Sequence, residues 1–96
     1  MVRADALRIA GEIALMSPER DAAEAQRNFE RALTVARRQK ARSFELRAAT
    51  SLARLWRDQG DRAKARNLLA PIYGWFTEGF DTLDLKEAKA LLDELT

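Results

Sequence analysis

Residues 52–69 read LARLWRDQGDRAKARNLL, two helix-forming runs parted by Gly60 and Asp61. This juncture restricts the fold more than any other stretch. A glycine just past a helix adopts the left-handed conformation that lets the last carbonyls find donors. An aspartate beside it caps the helix that follows. Two helices joined so tightly must fold back as an antiparallel pair. The rest of the chain is rich in Ala, Leu, Arg and Glu and poor in β-branched residues, so an all-α fold is expected.

Five helices can be read from apolar recurrence at three- and four-residue spacing. The first spans Ala4 to Met16, with Leu7, Ile9, Ala10, Ile13, Ala14 and Met16 making one broad apolar face. The second runs from about Pro18 to Gln39, opened by Ser17-Pro18-Glu19 and carrying Ala22, Ala25, Phe29, Ala32, Leu33 and Ala36. Ser43 is expected to cap a third helix, Phe44 to Gln59, with Leu46, Ala49, Leu52, Ala53 and Trp56 inward. The fourth begins at Asp61 or Arg62 and reaches Gly74 or Gly79, kinked at Pro71. The fifth covers Leu83 to Leu95, with Asp81 and Asp84 resembling a capping box.

A repeat underlies this order. Ala25, Phe29 and Ala32 recur as Ala65, Leu69 and Ile72, and Ala10-Gly11 aligns with Leu52-Ala53. The chain is therefore read as one helical-repeat domain: a first hairpin over 1–42, a second over 43–78 and a capping helix over 81–96. Leu52, Ala53, Trp56, Gly60, Ala65 and Leu69 follow a large, small, aromatic, glycine, alanine, large order. In that order the second hairpin resembles a tetratricopeptide repeat, with Ala53 and Ala65 where paired axes cross. The first hairpin fits the pattern at Gly11, Ala25, Phe29 and Ala32 but has Ala14 where an aromatic is expected. Residues 44–95 also resemble the C-terminal tail of large bacterial regulators that join a nucleotidyl cyclase domain and an AAA-type ATPase domain to helical repeats. The present chain has no room for either catalytic domain.

Chemistry-bearing motifs are absent from the sequence. The chain has no cysteine or histidine, which excludes disulfides, the usual zinc sites and Cys- or His-based catalysis. Gly74 and Gly79 are followed by Phe80 and Asp81, not by the Lys and Ser/Thr of a phosphate loop. No enzymatic role and no cofactor or metal are expected. No apolar run reaches the ~20 residues of a membrane span, so a cytoplasmic protein without membrane contact is expected. The net charge of +2 hides a division: residues 78–96 carry −4 and the first 77 carry +6. Arg37, Arg38, Lys40, Arg42 and Arg47 cluster near the second turn, but with an acidic last helix and no nucleic-acid motif they do not indicate nucleic acid.

What remains is binding. Arg47, Thr50, Arg54 and Arg57 fall on one face of the third helix, with Arg8 and Glu12 at matching places on the first. The resemblance implies that this face lines a concave groove. Its guanidiniums would grip carboxylates or phosphates through charge-assisted bonds, and an acidic peptide or protein segment is the expected partner. The competing reading is a solvated face whose arginines pair with Glu45, Asp58 or Asp61. Tyr73, Trp75, Phe76 and Phe80 are expected in the core. Leu7, Ile9, Ile13 and Met16 make a face wider than one helix can cover, which implies self-association through the first helix as a two-fold dimer. The expected function is protein–protein interaction or scaffolding. The alternative is a regulatory or dimerisation segment that controls an attached catalytic domain without a ligand of its own.

Overall fold

The computed structural model describes residues 3–16, 21–76 and 82–95. They form five α-helices: α1 (Ala4–Met16), α2 (Ala22–Arg38), α3 (Arg42–Asp58), α4 (Arg62–Tyr73) and α5 (Leu83–Leu95). The fold is all-α. Among the described residues, no helix is long and apolar enough to cross a membrane.

The turns explain the architecture. At the end of α3, Asp61 N–H donates to the Trp56 carbonyl at 2.8 Å and Gly60 N–H to the Arg57 carbonyl at 3.0 Å. Gly60 has φ of +87°. These are the two bonds of a Schellman cap. The end of α2 repeats them twenty residues earlier: Ala41 N–H reaches the Ala36 carbonyl at 2.9 Å, Lys40 N–H reaches Arg37 at 3.2 Å, and Lys40 sits at φ +54°. Helix starts and core positions follow the same twenty-residue step. Phe29, Ala49 and Leu69 are all fully buried. Ala32, Leu52 and Ile72 are buried likewise. The forty-residue offset legible in the sequence is thus two steps of a shorter period.

The two caps differ in strain. A lysine at positive φ costs roughly 1–2 kcal/mol that glycine avoids. Lys40→Gly is expected to stabilise the protein by up to about 1 kcal/mol, the rest being lost to glycine's freedom when unfolded. Gly60→Val is expected to cost about 1 kcal/mol or more through the backbone alone, since a side chain there meets nothing within 4 Å. Urea midpoints of the two variants check both signs.

Ion pairs and hydrogen bonds fix the helix directions. Trp56 near the end of α3 donates to Gln26 near the start of α2, while Arg37 at the end of α2 binds Glu45 at the start of α3. These helices are antiparallel. Arg47, Arg54 and Arg57 meet Asp84, Glu87 and Glu94 in that order, so α3 and α5 run parallel. Arg47 also approaches Asp5 at the start of α1, so α1 is parallel to α3. Side by side, α1, α3 and α5 form one layer, with α2 and α4 the other. The short dimension of 20 Å suits two helix thicknesses of roughly 10 Å.

Between the layers lies one core, centred on α3. Phe29, Leu46, Leu52 and Leu69 are its largest fully enclosed side chains. Ala25, Ala49, Ala53, Ala65 and Ala88 are buried between them. Gly11 belongs to the same set, because a methyl group placed on it would lie 2.5 Å from Phe29 Cε1.

Several local expectations are corrected. Asp21, not Ser17, caps α2, accepting from Glu24 N–H at 3.0 Å, and the helix starts at Ala22. Residues 17–20, including Pro18, lie outside the described residues. Ser43 is inside the first turn of α3, whose N-cap is Ala41, because the left-handed Lys40 lets the helix begin at once. Pro71 falls in the last turn of α4, which closes at Tyr73. Thr82 serves the start of α5, accepting from Leu85 N–H at 3.4 Å, while Asp84 turns to Arg47. Asp81 and Phe80 are outside the described residues. Of the other aromatics, Tyr73 and Phe76 pack against the core, but Trp75 is 43% exposed. The Arg42 guanidinium lies 5.3 Å from its ring centre.

Candidate functional site

Three helices surround one cavity. Arg8 from α1, Arg47, Thr50, Ser51 and Arg54 from α3, and Asp84 with Glu87 from α5 surround a cavity of about 220 Å³. The spacing of the α3 residues produces this directly. Positions 47, 50, 51 and 54 are successive steps of three or four and share a helix face. The structure brings Arg8, Arg47, Thr50 and Arg54 together around this cavity. Arg57 and Glu12 stand outside the cavity.

The arginines already have acids. Arg47 Nε donates to Asp84 Oδ2 at 2.8 Å, and its Nη1 is 3.9 Å from Asp5. Arg54 meets Glu87 at 3.1 Å. Arg57 reaches Glu94 at 2.8 Å and Asp58 at 3.1 Å. Arg8 holds Asp5 at 3.0 Å. Of the three acids expected in the competing reading, only Asp58 takes part. Glu45 is buried and paired with Arg37. The acidic last helix, read in the sequence as a charge imbalance, supplies the principal carboxylates. The hydrogen bond that Arg47 donates to Asp84 raises the Arg47 pKa against the opposing effect of burial. For Arg57, burial lowers the pKa but is outweighed by the bonds to Asp58 and Glu94.

Two hydroxyls line the same cavity. Thr50 Oγ1 donates to its own helix, to the Leu46 carbonyl at 2.8 Å. Ser51, only 2% exposed, lines the cavity from the next position. Its i, i+4 relation to Arg47 is the sequence signal that places it on this face.

The first helix presents the second surface. Ile9, Ile13 and Met16 are 45%, 61% and 81% exposed. Leu7, expected on this face, turns instead into the core with Ala4 and Gly11. The reason is angular: Leu7 and Gly11 are one turn apart on the side that meets α2 and α3, and Ile9 and Ile13 follow on the other side. Ala6 and Ala10 join them, so every exposed residue from Ala6 to Met16 is apolar. The other helices expose charged residues between their alanines.

A further cavity of about 230 Å³ is lined from α2, α3 and α4, over Leu33, Leu52, Trp56 and Leu68. Trp56 is secured there by its bond to Gln26 and by the Lys64 ammonium 4.3 Å from its ring centre. No family model, curated protein or solved structure matches the chain.

Proposed function

We propose that the chain is a protein–protein interaction module built from two tetratricopeptide-like helical hairpins and a capping helix. Its principal contact is self-association through the outer side of α1. The observation that carries this reading is the wholly apolar exposed surface of α1 from Ala6 to Met16. With its inner side already in the core, the apolar outer side of α1 leaves a second surface to be covered. Contiguous exposed apolar patches mark contact sites. Light scattering at micromolar concentration is expected to return twice the chain mass; a monomer would remove the self-association reading.

The concave cavity supports a second contact. Arg54–Glu87 is an exposed pair, and such pairs contribute about 0–1 kcal/mol, so an incoming carboxylate exchanges with Glu87 at little cost. Ser51 lines the same cavity. The partner is then an acidic peptide segment. The filled state of the arginines equally supports the other reading, a dimerisation segment that controls an attached cyclase or ATPase domain and takes no ligand. Titration with acidic peptides separates them. Salt-sensitive binding that Arg54→Glu abolishes favours the groove; no binding, or binding indifferent to Arg54→Glu, leaves the dimerisation segment.

A further inference from the structure

We propose that the occupant of the α1 face is α1 of a second copy, running antiparallel about a two-fold axis at the level of Gly11. The inference rests on the self-association reading and adds the partner's direction and register.

The two ends of the α1–α3–α5 layer are chemically unlike. The α5 end exposes Lys86, Glu87, Lys89, Asp93 and Glu94. Docking α1 of one copy onto that end would desolvate those charges against Ile9, Ile13 and Met16. Head-to-tail stacking is thereby disfavoured. Pairing the α1 face with itself closes a pair and leaves no open filament.

Direction follows from charge. Asp5, Arg8 and Glu12 share one flank of the stripe, and Ala6 and Ala10 the other. In an antiparallel two-fold pair, like flanks meet. Reversal about the level of Gly11 brings Arg8 to within about 3 Å along the axis of the partner's Glu12, and the partner's Arg8 likewise to Glu12. Glu12 has no ion-pair partner among the described residues of the single chain. A parallel pair places each charged flank against the alanine flank and leaves Glu12 alone. The apolar stripe agrees with reversal. Positions 6, 9, 13 and 16 read the same in both directions, so Ile9 lies against Ile13 and small Ala6 against large Met16. The alanines at 6 and 10 allow close approach of the axes.

The absence of cysteine makes the test direct. Ala10→Cys is expected to form a disulfide-linked dimer on oxidation. Ala6→Cys and Met16→Cys are each expected to stay unlinked alone and to cross-link when mixed. Glu12→Arg is expected to raise the dimer dissociation constant about tenfold, and R8E/E12R to recover most of the loss. Ile13→Arg, at an exposed position, is expected to give a folded monomer by circular dichroism and light scattering. A wild-type monomer overturns the inference together with the reading beneath it. A dimer that survives Ile13→Arg overturns the α1 site. Self-linking of Ala6→Cys or Met16→Cys overturns the antiparallel arrangement alone.

Discussion

Phe29→Ala is expected to lower stability by about 3–5 kcal/mol, the range for emptying an enclosed aromatic site. A domain of this length holds roughly 5–14 kcal/mol in total, so the variant should populate unfolded chains at ambient temperature. Phe29 is fully buried on α2, and its ring occupies the space that Gly11 leaves open on α1. That contact predicts a second, less intuitive result. Replacing a helical glycine by alanine normally gains up to about 1 kcal/mol. At Gly11 the new methyl would stand 2.5 Å from Cε1 and 2.8 Å from Cδ1 of Phe29. The ring has no open side to retreat into, and overpacking of this kind costs about 1–3 kcal/mol. The sign should therefore reverse, with Gly11→Ala destabilising. Adding Gly11→Ala to Phe29→Leu should cost less than Gly11→Ala alone, since the shorter side chain frees the volume. Urea denaturation of the four proteins in this cycle measures the coupling. A Gly11→Ala variant more stable than the parent would mean that the helices separate there.

Ala53→Leu should cost about 1–3 kcal/mol or more, as three extra carbons enter an enclosed site. Ala53 is fully buried on α3, the helix that every other helix contacts. Relief by movement would have to displace α2 or α4 together with the α1 or α5 that packs beside it. Ala63→Leu, on the exposed side of α4, supplies the control and should change stability by no more than about 0.5 kcal/mol. Equal melting of the two variants would show that small residues at position 53 are not required for helix approach.

The elements were legible where local chemistry decides them. The bounds of α1 and α5 and the reversal at Gly60 follow from periodicity and a single φ requirement. The turn at Lys40 was less visible, because a lysine in the left-handed region carries no signal. The same gap misplaced the start of α3 by two residues. Side-chain pairing was the least legible. That Arg47, Arg54 and Arg57 meet Asp84, Glu87 and Glu94 depends on α3 and α5 lying parallel and adjacent. Nothing local to either helix encodes that. The matching order of charges along the two segments was the available clue, and only the net acidity of the last helix was read. Leu7 was likewise assigned to the outer face, since a broad stripe on α1 does not say which edge meets its neighbours.

The arrangement in which each helix touches only its nearest or next-nearest neighbour in sequence has a kinetic consequence. No distant segments must find one another before structure is rewarded. The entropy of closing large loops is largely avoided, and chains with such local topology reach the native state in roughly microseconds to milliseconds. Nucleation can start at any reversal and spread outward, so a damaged end need not prevent the opposite end from assembling.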